Sequence, residues 1–121
     1  MHELPIAMEI VRQAVEVAEQ HSAEAVEEVE VQIGALRQIV PEALQMSFTA
    51  AGEGTIAAGA RLNIIEERIV GVCRTCDCMY MPAVDNFLCP RCGQADARII
   101  AGNDIILRSV VCRTPEEVTA P

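Results

Sequence analysis

Residues 73–93 read Cys73-Arg74-Thr75-Cys76-Asp77-Cys78-Met79-Tyr80-Met81-Pro82-Ala83-Val84-Asp85-Asn86-Phe87-Leu88-Cys89-Pro90-Arg91-Cys92-Gly93. Two Cys-x-x-Cys knuckles frame this stretch, with twelve residues between them. At that spacing two thiolates turn toward one point while loop N–H groups face the sulfurs, and a pair of such loops completes a tetrahedron around one ion. The reading is therefore a zinc-ribbon module in which Cys73, Cys76, Cys89 and Cys92 hold structural zinc. Four thiolates leave the ion no open position for water, so it serves folding and not substrate activation. A thioredoxin-like redox pair would need a single Cys-x-x-Cys in a βαβ context. A rubredoxin-like iron site shares the Cys-Pro-x-Cys-Gly turn, but the loop between the knuckles is short and aromatics are scarce.

Working outward, five of the six cysteines fall between Cys73 and Cys92 and none precedes residue 73. That clustering favours a metal over a disulfide framework. Cys78 and Cys112 are extra thiols, read as a bystander and as a small apolar residue at a strand end.

Upstream, Leu4, Met8, Val11, Val15 and Ala18 recur at helical spacing and predict a first helix with that stripe buried. Glu9, Glu16 and Glu19 fall off the stripe on a solvated face. Residues 28–33 alternate strictly, Val29, Val31 and Ile33 against Glu28, Glu30 and Gln32, as a half-buried strand requires. Pro41 suits the first turn of a second helix that turns Leu44 and Phe48 toward the core. Gly52, Gly54 and Gly59 end it, and Leu62 and Ile64 mark another strand over 61–67. Residues 98–111 read as a β-hairpin turning at Gly102-Asn103, with Ile105, Leu107, Ser109 and Val111 on one face. Beyond Cys112 the Pro115 to Pro121 region reads as a short frayed end. The expected fold is α+β, a small sheet packed with two helices plus the zinc-ribbon module. Residues 1–70 and 95–113 form one domain in this reading, and residues 71–94 form the zinc-binding module.

Of the 121 residues, 51% are hydrophobic but only 2% aromatic, so the core is aliphatic. The formal charge is −9 and all nine basic residues are arginine. No basic stripe is available to track a phosphate backbone, which argues against nucleic acid as a partner. No apolar run approaches the roughly 20 residues needed to span a bilayer. Met1-His2-Glu3-Leu4-Pro5 lacks the charged and apolar regions of a signal peptide, so the expected location is the cytoplasm.

A methionine followed by a large residue is normally retained. The α-amine, the amide nitrogens of residues 2 and 3 and the His2 imidazole then offer four nitrogens at one place. Deprotonated amides suit a square-planar ion, nickel(II) or copper(II), and not zinc or magnesium. The Glu3 carboxylate either ligates directly or orients the imidazole. On residue chemistry alone this site and an uninvolved chain end both stay open. His21, near the end of the first helix, reads as a capping or surface residue.

End to end, the chain resembles the hydrogenase nickel-incorporation family, the HypA/HybF metallochaperones. The resemblance is carried by Met1-His2-Glu3-Leu4, by Val31-Gln32-Ile33-Gly34 with Val40-Pro41-Glu42-Ala43-Leu44, by Gly54-Thr55 with Gly59-Ala60-Arg61-Leu62, and by the two knuckles. It implies no enzymatic activity. It implies His2 as the nickel ligand, assisted by the Met1 amine and Glu3, with zinc on Cys73, Cys76, Cys89 and Cys92. The implied partners are a nickel-handling GTPase and the hydrogenase large subunit, with urease as a further acceptor in some relatives and dimerisation left open. Two departures stand out. Asp77-Cys78 occupies a place where such proteins often have glycine, and Asn103-Asp104 one where an Arg-Glu or Asn-Glu pair is common.

Overall fold

The computed structural model describes residues 2–115. Met1 and the end from residue 116 lie outside the described residues, and with them most of the terminal region expected to fray. The elements are α1 (Glu3–Gln20), β1 (Ala25–Gly34), a 3-10 turn (Ala35–Arg37), α2 (Pro41–Gly52), β2 (Arg61–Glu67), β3 (Val70–Cys73), β4 (Met79–Tyr80), β5 (Ala97–Ala101) and β6 (Ile105–Arg113). Two three-stranded sheets result, one in the order β2-β1-β6 and the other β4-β3-β5. The fold is α+β, as the sequence predicts.

By packing, the chain divides into two compact units. One comprises residues 1–31, 39–65 and 106–121, the other residues 32–38 and 66–105. In the first, α1 packs on α2. Val26, Val29 and Val31 of β1 and Leu62 of β2 are buried, as are Leu44 and Phe48 of α2. The period-two pattern of β1 and the inward pair on α2 thus follow the expected reading. The Gln45 side-chain amide donates to the Leu62 carbonyl at 2.8 Å and ties α2 to β2. On the polar side of the sheet, Glu28 accepts from Arg61 at 2.9 Å and from Asn63 at 3.0 Å.

The buried stripe of α1 differs from the expected one. Ala7, Ile10, Val11, Ala14 and Ala18 are inside, whereas Leu4 and Met8 are 51% and 57% exposed. Ala7, Ile10 and Ala14 are buried off the expected stripe, and a stripe drawn through Leu4 and Met8 passes over the small residues among them.

The predicted hairpin over 98–111 does not form. β5 pairs with β3, from Val70 opposite Ala101 to Cys73 opposite Ala97, whereas β6 pairs with β1. The segment between them is held by a different partner. The Gly34 N–H donates to the Asp104 carbonyl (2.8 Å), the Leu36 N–H to the Gly102 carbonyl (2.9 Å) and the Arg37 Nε–H to the Asn103 carbonyl (2.7 Å). Gly102 has φ +97°, and a Cβ on Gly34 would overlap the Gly102 carbonyl. Along β6 the half-buried positions are Ile105, Leu107, Val110 and Cys112, so the alternation slips by one residue after Leu107, and Ser109 and Val111 face outward.

Gly34→Ala has no room without moving backbone, and the variant is expected to lose about 2–4 kcal/mol of unfolding free energy. Phe48→Ala, at a position 2% exposed, is expected to lose about 3–5 kcal/mol. Chemical denaturation midpoints measure both, and a Gly34→Ala protein as stable as the parent contradicts the close approach of Gly34 and Gly102.

Candidate metal centre

The sequence builds each knuckle at the end of a strand. β3 delivers Cys73, whose N–H donates to the Cys78 carbonyl at 2.9 Å while the Asp77 N–H returns to the Cys73 carbonyl at 2.8 Å. The second knuckle repeats the pattern. The Cys89 N–H donates to the Gln94 carbonyl at 2.9 Å and the Gly93 N–H to the Cys89 carbonyl at 2.9 Å. Both loops close through a left-handed residue four places after their first cysteine, Asp77 at φ +62° and Gly93 at φ +77°. Glycine adopts that conformation freely and aspartate tolerates it at a cost.

These turns bring four sulfurs together. Cys73, Cys76, Cys89 and Cys92 place their Sγ atoms within 4.8 Å of one another. The Cys73–Cys92 and Cys76–Cys89 pairs stand at 3.5 and 3.6 Å. A tetrahedral ion with sulfurs at about 2.3 Å sets them roughly 3.8 Å apart, so the donor set and its spacing fit zinc or an ion of similar size. Among the described residues this is the one cluster of three or more metal-ligating side chains close enough to share an ion.

The electrostatics of the four thiols show why an ion is wanted there. At Cys73 the Cys76 N–H leads in favouring the thiolate, against burial, and the thiol is lowered. At Cys89 burial disfavours charge, but the N–H groups of Cys92 and Arg91, with the Cys76 and Cys92 thiols, outweigh it and hold the group at about 6. The Arg91 N–H lies 3.4 Å from that sulfur. The other two go the opposite way. At Cys76 the Cys78 N–H favours the thiolate, yet burial and the sulfurs of Cys89, Cys92 and Cys73 push it up to about 12. At Cys92 the Gln94 N–H is likewise overridden by burial and by the Cys73 and Cys89 sulfurs. Two thiolates suppress the other two, and a bound dication removes that competition.

Tyr80 belongs to the centre although its sequence gives no ligand signal. It is 8% exposed and buried with Cys73 and Cys89, while Cys76, Cys78 and Ala97 pack around the three. Its hydroxyl donates to the Phe87 carbonyl at 2.6 Å, which pins the loop between the knuckles. The only sign in the sequence is a lone tyrosine in a module otherwise short of core residues. On the rim, Arg74 bridges to Asp96 at 3.2 Å and donates to the Ala97 carbonyl at 3.2 Å.

His2 and Glu3 lie in the other compact unit, at the start of α1. His2 is the exposed N-cap residue, and its carbonyl accepts the Ile6 N–H at 3.4 Å. The Glu3 carboxylate accepts the N–H of Val40, the N-cap of α2, at 3.2 Å. This contact between distant residues fixes the first turn of α1 against the entry to α2. His21 is the C-cap of α1, with Nδ1 3.0 Å from the Val17 carbonyl. Cys112 is half-buried on β6, and Cys78 lies beside the cluster.

The paired left-handed positions give a test. Asp77→Gly is expected to stabilise the metal-loaded protein by about 0.5–1 kcal/mol, and Gly93→Ala to destabilise it by about 1 kcal/mol. Resistance of the bound metal to a chelator reads the effect, and a loss of resistance in Asp77→Gly contradicts it.

The model of the hydrogenase/urease nickel-incorporation metallochaperone family, HypA, matches residues 1–112. The chain is 40% identical over 111 residues to the hydrogenase maturation factor HypA of Roseiflexus sp. (strain RS-1), an alignment covering 91% of this chain and 90% of that one. It is 41% identical over 111 residues to the factor of the same name from Archaeoglobus fulgidus, covering 92% and 97%. Its fold is similar to the solution structure of the Ni metallochaperone HypA from Helicobacter pylori, with a TM-score of 0.68, 24% identity, and coverage of 94% of this chain and 99% of that chain. The match takes in both the His2-Glu3 start and the converging knuckles, and so the chain belongs to the HypA family of nickel-incorporation metallochaperones, which are maturation factors and not enzymes.

Proposed function

We propose that this chain captures nickel(II) at its amino terminus and passes it to the large subunit of a [NiFe] hydrogenase with the help of a partner GTPase, while zinc in the four-cysteine centre holds the second unit together. The observation that carries the proposal is the family match beginning at residue 1, together with His2 and Glu3 standing at the first turn of α1. Urease is the second acceptor the family description allows. The reaction is ligand exchange. Nickel sits among the Met1 amine, the amide nitrogens of residues 2 and 3 and the His2 imidazole, with the Glu3 carboxylate as assisting ligand. A planar set of nitrogens at an exposed chain start leaves an open face from which an acceptor's ligands attack.

Cys73, Cys76, Cys89 and Cys92 would hold the zinc, and the ion supplies the positive charge that lets all four remain thiolates. The residues around them do the rest. Loop N–H groups orient the sulfurs, Tyr80 excludes water from Cys73 and Cys89, and the buried set contains little else to serve as a core. We assign nickel to the unit that begins with α1, and zinc to the unit that contains residues 71–94. Among the described residues no helix is long and apolar enough to cross a membrane. We place the protein in the cytoplasm, where its acceptor is assembled, and leave a homodimer to be decided by its mass in solution.

His2→Ala is expected to weaken nickel binding by about a hundredfold or more and to leave zinc at one per chain, since the two donor sets share no residue. The proposal requires Met1 to be the mature first residue, so extra residues placed ahead of it are expected to weaken nickel binding as severely. Equal nickel affinity in the extended and authentic proteins contradicts the nitrogen site.

Cys89→Ser is expected to lose zinc and the ordered structure of the second unit. Elemental analysis and amide hydrogen exchange read the two effects. Because thiolates must be reprotonated for release, zinc is retained near neutral pH and lost on acidification, and nickel follows the same sign as the imidazole takes up a proton. Zinc content that does not change between pH 8 and pH 4 contradicts thiolate ligation.

A further inference from the structure

The unit built on α1 and α2 carries a surface that neither metal site uses. A groove of about 390 Å³ runs along α1 from Met8 to Glu19 and is bounded across from it by Ala51, near the end of α2, and by Thr55. Its lining is mostly apolar. Val11 is buried, Val15 and Ala51 are half-buried, and Met8 stands 57% exposed. Leu4, one turn before Met8 and 51% exposed, continues the apolar face toward His2, the N-cap of the same helix. The rim is acidic. Glu16 and Glu19 line the groove, and the one cation lining it, Arg12, is shared between Glu9 at 2.6 Å and Glu16 at 3.3 Å.

The same sign extends over the whole unit. By sequence it holds twelve acids against four arginines, whereas the other unit holds six against five, so −8 of the formal −9 belongs to the unit with the groove. We propose that this groove docks a basic amphipathic helix of a partner protein, with apolar residues at spacings of three and four inside it and lysines or arginines facing the acidic rim. A second copy of this chain is the wrong occupant, because it would bring another acidic α1 against this one. An added strand is also the wrong occupant, since helices and not a strand edge line the groove. The length suits a helix. The eleven residues from Met8 to Glu19 rise roughly 16 Å along α1, about three turns of a docked helix lying beside it. A helix seated there reaches, through Met8 and Leu4, the end of α1 that carries His2. That its owner is a protein exchanging nickel with His2 rests on the function proposed above, whereas the docking itself does not.

The test uses the full chain and a fluorescein-labelled synthetic helical peptide with leucines at those spacings and lysines on both flanks. The same peptide with glutamates for the lysines, and a scrambled lysine peptide, serve as controls. Anisotropy is expected to show binding of the lysine peptide alone, weakened by salt. Met8→Gln and the double variant Glu16→Gln/Glu19→Gln are each expected to weaken it about five- to tenfold. Glu66→Gln/Asp85→Asn, which removes as much charge from the other unit, is expected to change it less than about twofold. Amide chemical-shift changes in the parent protein, which need no variant, are expected along α1 and around Ala51 and Thr55. No binding, equal binding of either control peptide, equal weakening by Glu66→Gln/Asp85→Asn, or shift changes confined to the other unit overturns the proposal. A nickel titration of the same protein separates the two readings. Nickel bound without peptide docking sinks the docking surface alone, and peptide docked without nickel binding sinks the nickel site alone.

Discussion

Four thiolates within 4.8 Å of one another repel too strongly to coexist without a cation, and the second compact unit is organised around that constraint. The buried cluster at the sulfurs is Cys73, Tyr80 and Cys89, a set too small to hold this part of the unit by apolar burial alone. N–H groups of the knuckle loops favour charge at all four sulfurs, but at Cys76 and Cys92 burial and the neighbouring sulfurs outweigh them. A dication finishes what the loops begin. Apparent binding energies for such sites are on the order of 10–16 kcal/mol near neutral pH, comparable to the whole stability of a small domain. Metal and fold are therefore one cooperative event in this unit, whereas the unit built on α1 and α2 has an aliphatic core of its own.

Much of this was legible in local pattern. The two knuckles gave the centre, the strict alternation of residues 28–33 gave β1, and Pro41 with Leu44 and Phe48 gave α2, because in each case the chemistry is decided within a few residues. The failures share a cause as well. The face that α1 buries includes Ala7 and Ala14, small residues that no scale rewarding large side chains registers. Residues 98–111 carry every local sign of a hairpin. Their partners are set by β3 and β1 and by the contact of Gly34 with Gly102, tens of residues away. Tyr80 was missed for the same reason, since its role comes from where the loop carries it and not from its neighbours in sequence.

The proposed chemistry of the two metal sites asks for opposite physics, and the chain gives each what it needs. A structural ion benefits from being enclosed, with its ligands buried or half-buried and no vacant position. Cys73 and Cys89 answer to that description. A cargo ion must leave within the life of an encounter, which favours exposed donors and few constraints. His2 is exposed at the N-cap position of α1, outside the buried core, so exchange of its ligands disturbs no core. Glu3 stands between the two regimes. Its carboxylate already binds the Val40 N–H, so any part it takes in coordination is coupled to the geometry at the start of α2.

Asp77 and Cys78 show how a local choice of residue acquires consequences through backbone geometry. The second knuckle has glycine at its left-handed position, and the first has aspartate at the equivalent place. The hydrogen bonds of the two loops are nevertheless the same, which means the metal site tolerates the strained residue. The loop's own two hydrogen bonds hold aspartate in the left-handed region, at a cost that glycine would not carry. The next residue inherits the constraint. The turn that closes the knuckle also brings Cys78 half-buried against the Cys73, Tyr80 and Cys89 cluster.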